Sequence, residues 1–454
     1  MSSNAISITC IILLILMSLV VAHYILDYLA NWRHVMPSAR TDKRQNVVLI
    51  SIETLRPDHM SIYGYYRNTT PNIDSFFRDK TVFENAVSSA PCTMPSVARF
   101  LSGRFGYDEG VGLAQFMKEG GYNTVAVVSQ HHFMGEDKVK HEYGRGFMLF
   151  DIQGMEETDL YNFTNRTADV ITQNAIKWLE DNREDSFFMW LHYYDPHDPY
   201  YPPEGFRDYV DGRLSRVEGF TRERLEKAEY DALSDDYWGR MGDIFSSEEV
   251  DYYNALYDGE VRYTDFQIGR FLEYLESHDL TDNTIVVLTS DHGEHLGEGN
   301  KWNHCQNLDE YEIWVPLMFS VGGGKLGDIG HSSKVVSTLD IAPTILKLLG
   351  IDYEQGVFDG ENILDTWENR SVFAEWKKEK IVRIGDYKMH HNGKAIVGLY
   401  NITSDRWEKE NLISEESDSK KLLEEEMSHF MSDIMKDTGD KTKILEELHE
   451  IGYI

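Results

Sequence analysis

Glu53 closes the apolar run NVVLISIE, and Asp291 and His292 close another, TIVVLTSDH. Two carboxylates and an imidazole delivered to one rim would suit a divalent cation such as Mn, Zn, Mg or Ca. In isolation Asp291 reads equally as a turn cap and His292 as a satisfied surface residue. In APCTMPSVARFLSGR, Pro95 follows Thr93 and Gly103 closes the stretch. Proline in the first turn and glycine past the last is the asymmetry of a helix. Thr93 is therefore predicted as its N-cap, where backbone amides and the helix dipole favour negative charge. A Thr93 alkoxide activated by the metal could attack phosphorus or sulfur; the structural alternative is an ordinary cap. LHYYDPHDPYYPP (191–203) carries His192, Asp195, His197 and Asp198 on a Pro-punctuated loop. Imidazoles so placed contact an anion or protonate a leaving group. KWNHCQNLDEYEIWVPLMF sets Lys301 and His304 just before another apolar run. His197 and His304 are candidate catalytic groups beside Thr93, and His192, Lys301 and Arg99 are candidate substrate-binding groups. Either loop alone also reads as structural.

These residues need a scaffold that gathers strand ends. Runs at 46–53, 124–129, 187–192, 284–292 and 315–320 are short, apolar and rich in β-branched or aromatic residues. Such runs suit strands buried on both faces, as in a parallel sheet. Helical stretches at 112–121, 167–181 and 257–278 alternate with them, which implies a doubly wound α/β sheet. Ligands bind beyond the carboxyl ends of such strands. Residues 205–255 are acidic, aromatic and without strand character, and read as an insertion or lid in a catalytic domain spanning 46–365. Beyond it, SVFAEW, KIVRIGDYKMHH and AIVGLYNI read as short antiparallel strands of a small subdomain over 366–454. The charged tail KKLLEEEMSHFMSDIMKD is expected to be a helix with a solvated face.

The chain has 454 residues, of which 41% are hydrophobic and 12% aromatic, values that exclude wholesale disorder. Its formal charge of −33 argues against a nucleic-acid partner and against broad adhesion to anionic lipid. An anionic substrate stays compatible, because a bound metal outweighs the mean field locally. Residues Ala5–Leu26 contain no Asp, Glu, Lys or Arg. At ~1.5 Å per residue that stretch can cross a hydrocarbon core of ~30 Å. MSSN lacks basic residues and Leu19-Val20-Val21-Ala22 is a poor cleavage match, so a transmembrane anchor over 1–30 and a linker over 31–45 are expected. A signal peptide and a buried helix are the alternatives. Arg33, Arg40, Lys43 and Arg44 follow the apolar run, and the positive-inside rule would keep that side cytoplasmic.

The order of these blocks resembles the sulfatase family of the alkaline phosphatase superfamily, from about Asn46 to the C-terminus. NVVLISIETLRPDHMSIYGYYRNTTPNID is similar to its opening block and PSVARFLSGR to its nucleophile helix. GLAQFMKEGGYNTVAVVS, YDGEVRYTDFQIGRFLEYLESHDLTDNTIVVLTSDHGEHLGE, VSTLDIAPTILKLLGI, GDYKMHHNGKAIVGLYNI and ELHEIGYI follow in the family's order. The resemblance implies an alkaline-phosphatase-like sandwich with a mostly parallel central sheet. It implies Glu53, Asp291 and His292 as metal ligands, Thr93 at the nucleophile position, His197 and His304 lining an ester pocket, and Arg56 in a structural ion pair. It also implies an extracytoplasmic catalytic domain, against the basic residues after the anchor.

The departures matter. Sulfatases proper make a formylglycine from Cys or Ser followed by x-Pro-x-Arg. Here Thr93 stands two before Pro95, Val97 two after it, and Cys92 is one position early. A second metal-site Asp is replaced by Thr54. Glu53 and Thr93 look like the lipoteichoic-acid synthase and phosphoethanolamine-transferase branch. The expectation is a metal-dependent hydrolase of a sulfuric or phosphoric ester on a small molecule, glycan or lipid, acting through a covalent Thr93 ester. A threonine ester cannot be released by elimination, which tilts the chemistry towards phosphorus. A phospho-headgroup transferase and an inactive glycan-binding protein are the alternatives. Cys92 abuts Thr93 and Cys305 abuts His304, so the two sulfurs would approach if both motifs line one pocket. A bridge needs Cα atoms within ~7 Å; two separate buried thiols are the other reading.

Overall fold

The computed structural model describes residues 44–106, 112–129, 143–152, 167–209, 246–365, 370–415 and 417–437. The expected anchor, most of the linker and most of the 205–255 segment lie outside them. Among the described residues, no helix is long and apolar enough to cross a membrane.

An eight-stranded sheet forms the centre of the unit Gln45–Ile454. In chain order its strands are β1 (Asn46–Ile52), β2 (Thr81–Val87), β3 (Asn123–Val128), β4 (Leu149–Asp151), β5 (Phe187–Tyr193) and β6 (Thr284–Ser290). A short hairpin, β7 (His295–Leu296) and β8 (Trp302–Asn303), precedes the last two, β9 (Trp314–Val321) and β10 (His331–Ser337). The spatial order is β10-β2-β9-β6-β1-β5-β3-β4. The helices are α1 (Pro71–Phe77), α2 (Thr93–Ser102), α3 (Leu113–Glu119), α4 (Ala168–Asn182), α5 (Ser247–Ser277), α6 (Glu310–Ile313), α7 (Ile341–Leu349) and α8 (Asp418–Asp437).

Every residue of β1, β5 and β6 is buried, as their unbroken apolar runs require. Val48, Ile50 and Ile52 point into one core with residues of α1, α4 and α5, while Val47 and Leu49 point into the other with α2, α3 and α7. At roughly 1.5–3 kcal/mol for each large aliphatic side chain removed from water, these two layers dominate the stability of the fold. The sheet is mixed. β9 runs antiparallel to both β2 and β6, whereas the remaining neighbours are parallel. The expectation that VPLMFS continues a parallel series is thereby corrected. A central strand is buried on both faces whichever way it runs, so its composition carries no direction.

The long α5 starts at Ser247, ten residues before the predicted 257, behind a capping box of Ser246 and Glu249. Residues from Ser371 onward form the expected antiparallel sheet β11 (Ser371–Trp376), β12 (Glu379–Ile384), β13 (Tyr387–His391) and β14 (Ile396–Asn401). Leu423 and Met427 of α8 pack against Val382, Met389 and Leu399, so the charged tail docks through an apolar stripe.

Candidate active site

Parallel register brings the functional strand ends level. Ile52 pairs with both Tyr193 and Ser290, so Glu53, Tyr194 and Asp291 leave the sheet side by side. Thr54 follows with φ +51°, a left-handed conformation that bends the chain away from the sheet. Its amide donates to Asp291 Oδ1 at 3.1 Å and its hydroxyl to the Pro196 carbonyl at 2.9 Å. Tyr257 of α5 donates to the Thr54 carbonyl and accepts from the Arg56 amide. Asp291 Oδ1 also accepts the His292 amide at 2.8 Å. Gly293 comes next, where a Cβ would meet the Tyr311 carbonyl oxygen at 2.3 Å, so only glycine lets the two segments pass.

Thr93 opens α2 and is fully buried. Its Oγ1 donates to Glu53 Oε1 at 2.5 Å and lies 3.2 Å from His292 Nε2. The N-cap residue is Cys92, in extended conformation, so Thr93 is the first helical residue rather than the cap. Its hydroxyl thereby turns to the strand ends and does not satisfy its own helix. Pro95 has no N–H, and the Ser96 amide bonds the Cys92 carbonyl, which leaves at most the Thr93 and Met94 amides to face an anion.

His292 Nδ1 donates to the Gly293 carbonyl at 2.7 Å, because a carbonyl can only accept. Nε2 therefore presents its lone pair to Thr93 and lies 3.4 Å from Asp291 Oδ2. Burial lowers His292 to about 4, with Glu53 opposing, so the ring is neutral and able to ligate. Burial alone would raise Glu53, but the hydrogen bond and charge of His192 bring it down to about 2. Asp291 is pushed well up, first by burial and then by the Glu53 charge. Its Oδ2 is buried without a hydrogen-bond partner.

These residues fit a divalent cation. Glu53, His192 and Asp291 offer ligand atoms within 4.8 Å of one another, and the His292 lone pair adjoins them. Two adjacent buried carboxylates with an unbonded oxygen repel each other until a positive charge enters. Glu53, Asp291 and His292 therefore stand together as expected. His192 stands with them, instead of out towards a substrate. Its Nε2 bonds Glu53 Oε2 at 2.7 Å and its Nδ1 bonds Ser51 Oγ at 2.8 Å, while Trp190 donates to that same Ser51 oxygen. A buried relay thus fixes Glu53 from behind.

His304 lies with its ring centroid 4.5 Å from that of His292 and 4.9 Å from that of His197. His197 stacks on Tyr194, whose hydroxyl is 2.9 Å from Nδ1. The two remaining candidates are engaged elsewhere. Arg99 is buried, donating to Glu375 Oε1 at 2.7 Å and to the Ser89 and Phe105 carbonyls. Lys301 pairs with Asp309 at 3.0 Å, in a cluster where His295 Nε2 sits 3.2 Å from Asp309 and 3.3 Å from Glu312. Burial would lower His295, but the carboxylates of Asp309 and Glu312, which can only accept from the ring, raise it to about 9, so an imidazolium supplies positive charge there. Arg56 forms the expected ion pairs, with Asp58 and Glu298, each at 2.7 Å.

Two features escaped the sequence reading or were left open by it. Glu294, fully buried, accepts from Tyr200 and lies 3.4 Å from His304 Nδ1, orienting that ring. Its position just beyond Asp291-His292 was the available signal. Cys92 and Cys305 form a disulfide with Cα atoms 4.9 Å apart, joining the start of α2 to the His304 loop. Cys92 is thereby occupied and is no precursor of an aldehyde.

Comparison with known proteins bears out the resemblance to the sulfatase family. The Sulfatase family model matches residues 45–351. An N-acetylglucosamine-6-O-sulfatase of Bacteroides thetaiotaomicron is 25% identical over 80% of this chain and 78% of its own length. An arylsulfatase of Clostridium perfringens is 25% identical over 82% and 91%. The crystal structure of a phosphonate monoester hydrolase of Agrobacterium radiobacter superposes with a TM-score of 0.64 at 19% identity, covering 86% of this chain and 95% of that one. With a family match across most of the chain, a mixed α/β sheet of the alkaline phosphatase type and Glu53, Thr93, Asp291 and His292 gathered at its strand ends, the chain belongs to the sulfatase family of ester hydrolases.

Proposed function

We propose that the protein hydrolyses a singly charged sulfuric or phosphoric ester of a small molecule or glycan through a covalent ester on Thr93. The observation that carries this reading is the Thr93 hydroxyl held 2.5 Å from Glu53 and 3.2 Å from His292, beside the unbonded Oδ2 of Asp291. Glu53, Asp291 and His292 would hold a divalent cation, which supplies charge that lowers the hydroxyl pKa and neutralises ester oxygens. Thr93 Oγ1 loses its proton to solvent and bonds to the central sulfur or phosphorus as the ester bond to the alcohol breaks. His304, oriented by Glu294 and beside His197, gives the departing oxygen its proton. Water then attacks the same central atom and returns a proton to His304, Thr93 leaves and regains a proton from solvent, and inorganic sulfate or the phosphorus acid is released.

The single charge follows from the cations. Arg56, Arg99 and Lys301 are each paired with carboxylates, so these three cations are not turned to the ester, whereas the imidazoles of His197 and His304 stand beside Thr93's partner His292. A sulfate monoester or a phosphorus diester carries one negative charge, whereas a phosphate monoester carries about −1.5 to −2 at neutral pH. The sulfatase relatives support a sulfated sugar, and the phosphonate hydrolase fold supports the phosphorus alternative.

The test is a panel of aryl sulfate, aryl phosphodiester, aryl phosphonate monoester and aryl phosphate monoester, each after chelation and after addition of Ca, Mn, Zn or Mg. Turnover of a singly charged ester that needs metal, with a trapped ester on the Thr93 peptide, supports the reading. Full activity in excess chelator, or an intermediate on another residue, overturns it. Transfer to an added alcohol in preference to water would identify a transferase.

A further inference from the structure

We propose that the Cys92–Cys305 disulfide is a positioning crosslink that holds Thr93 and His304 in one pocket, so that full turnover requires the oxidised chain. The inference rests on the roles just assigned to those two residues. Each half-cystine is the immediate neighbour of one of them, although 213 positions separate the cysteines in sequence. Cys92 is fully buried and sets the extended entry into α2, one residue before the nucleophile.

The His304 loop has an unusual backbone. Asn303 has φ +66° and Cys305 φ +64°, so both neighbours of His304 occupy a left-handed conformation that side-chain-bearing residues rarely adopt. Such a turn persists only where surrounding contacts hold it. The Cys305 amide donates to the Pro91 carbonyl at 3.0 Å, Trp376 donates to the Cys305 carbonyl at 2.8 Å, and Glu294 meets His304 at 3.4 Å. Pro91 adjoins Cys92, so the covalent bond and the Pro91 hydrogen bond join the same two segments. Without the bridge, hydrogen bonds and ring contacts alone oppose the backbone strain, and each such hydrogen bond is worth only about 1 kcal/mol net.

A dithiol reagent cleaves the bond by delivering two electrons and two protons, giving two thiols while the reagent closes its own disulfide. The fold keeps both sheets and both cores. The His304 loop loses its anchor to the nucleophile helix, and the proton donor drifts from the leaving oxygen.

The experiment compares oxidised, reduced and reoxidised full-length protein, with the Cys92→Ala/Cys305→Ala double variant as a second route to the same state. Thiol counting confirms each state and circular dichroism confirms folding. Reduction should lower kcat by about tenfold or more, because misplacing a catalytic group by ~1 Å can cost ~100-fold. KM should stay within about twofold, and reoxidation should restore the rate. Hydrogen exchange of residues 303–306 should accelerate on reduction. Unchanged kcat and exchange in fully reduced protein would overturn the proposal, as would free thiols in the oxidised preparation. If the oxidised protein hydrolyses no ester, the function reading fails on its own, and the exchange measurement still decides whether the bridge holds the loop.

Discussion

Replacing Asp291 by Asn separates metal binding from fold stability, because the two effects have opposite signs. Glu53 and Asp291 carry ligand atoms within 4.8 Å. Two full charges at that distance repel by about 3 kcal/mol at an effective dielectric of ~20. Asn keeps an oxygen for the Thr54 and His292 amides that Oδ1 now accepts. It also turns the unbonded Oδ2 into a donor facing Glu53 and His292. Metal-free Asp291→Asn should therefore melt about 2–5 °C above metal-free wild type at pH values above the raised Asp291 pKa, where both carboxylates are charged. The sign with pH is fixed. Asp291 has a raised carboxyl pKa in the fold, so its favourable protonated form is fully present below about 4 and lost as pH rises through the raised value. The wild-type advantage of low pH should disappear in the variant. Metal reverses the order: at a thousandfold excess over its dissociation constant it stabilises wild type by about 4.1 kcal/mol, and the variant by far less. Calorimetry of chelated and metal-loaded samples at two pH values, with turnover on the preferred aryl ester, reads all of this. A metal-free variant that melts below wild type, or one that keeps the full metal response, would refute the reasoning.

Thr93→Ala should lower kcat by about 10⁴-fold or more, whereas Thr93→Ser, which keeps the hydroxyl, should retain measurable turnover and the trapped ester; equal rates in Thr93→Ala and wild type, read in a single-turnover assay, would exclude Thr93 as nucleophile. His304→Gln should slow esters of poor leaving groups by about 10–100-fold more than 4-nitrophenyl esters, because an activated alcohol needs no acid; a uniform loss across leaving groups would remove His304 from that role. A structural disulfide persists where thiols are not kept reduced. The catalytic unit should therefore face an oxidising compartment, in spite of Arg33, Arg40, Lys43 and Arg44, and protease added to intact cells should digest it. Full protection until the membrane is opened would restore the orientation that those basic residues suggest.

Much of the site was legible because strand ends are legible. A buried run must stop at a polar residue, and parallel register makes Glu53 and Asp291 level without further information. The direction of β9 was not legible, since VPLMFS is apolar on both faces in either sense. Thr93 read as a cap because Ser and Thr usually bond the helix they precede. Here Cys92 takes that position, and a carboxylate 40 positions away in sequence takes the hydroxyl. His192 read as substrate-facing because it ends a strand. Whether an end residue points up to the rim or back into the sheet depends on the pleat, and its pairing with Ser51 turns the ring onto Glu53. Arg99 and Lys301 looked available because their partners, Glu375 and Asp309, lie in elements whose packing no local pattern discloses.

The departures from the sulfatase motif compensate one another electrostatically. Thr54 in place of a second aspartate removes one negative charge from the strand ends. Val97, where the formylglycine motif carries arginine, removes one positive charge from the facing helix. Val97 is fully buried in the apolar layer that also holds Phe100 and Trp190. An arginine left there without its acidic counterpart would be an uncompensated buried charge, costing about 3–5 kcal/mol. An aspartate at position 54 would add a third carboxylate beside Glu53 and Asp291, with Arg56 already committed to Asp58 and Glu298. Losing both charges leaves the summed charge of the two positions unchanged. The aldehyde precursor is lost in the same segment, and Cys92 takes up the structural task of tying α2 to the His304 loop. Thr93, Thr54, Val97 and the disulfide thus form a consistent set, in which Thr93 offers a permanent hydroxyl at the position where the formylglycine motif places a residue made by modification.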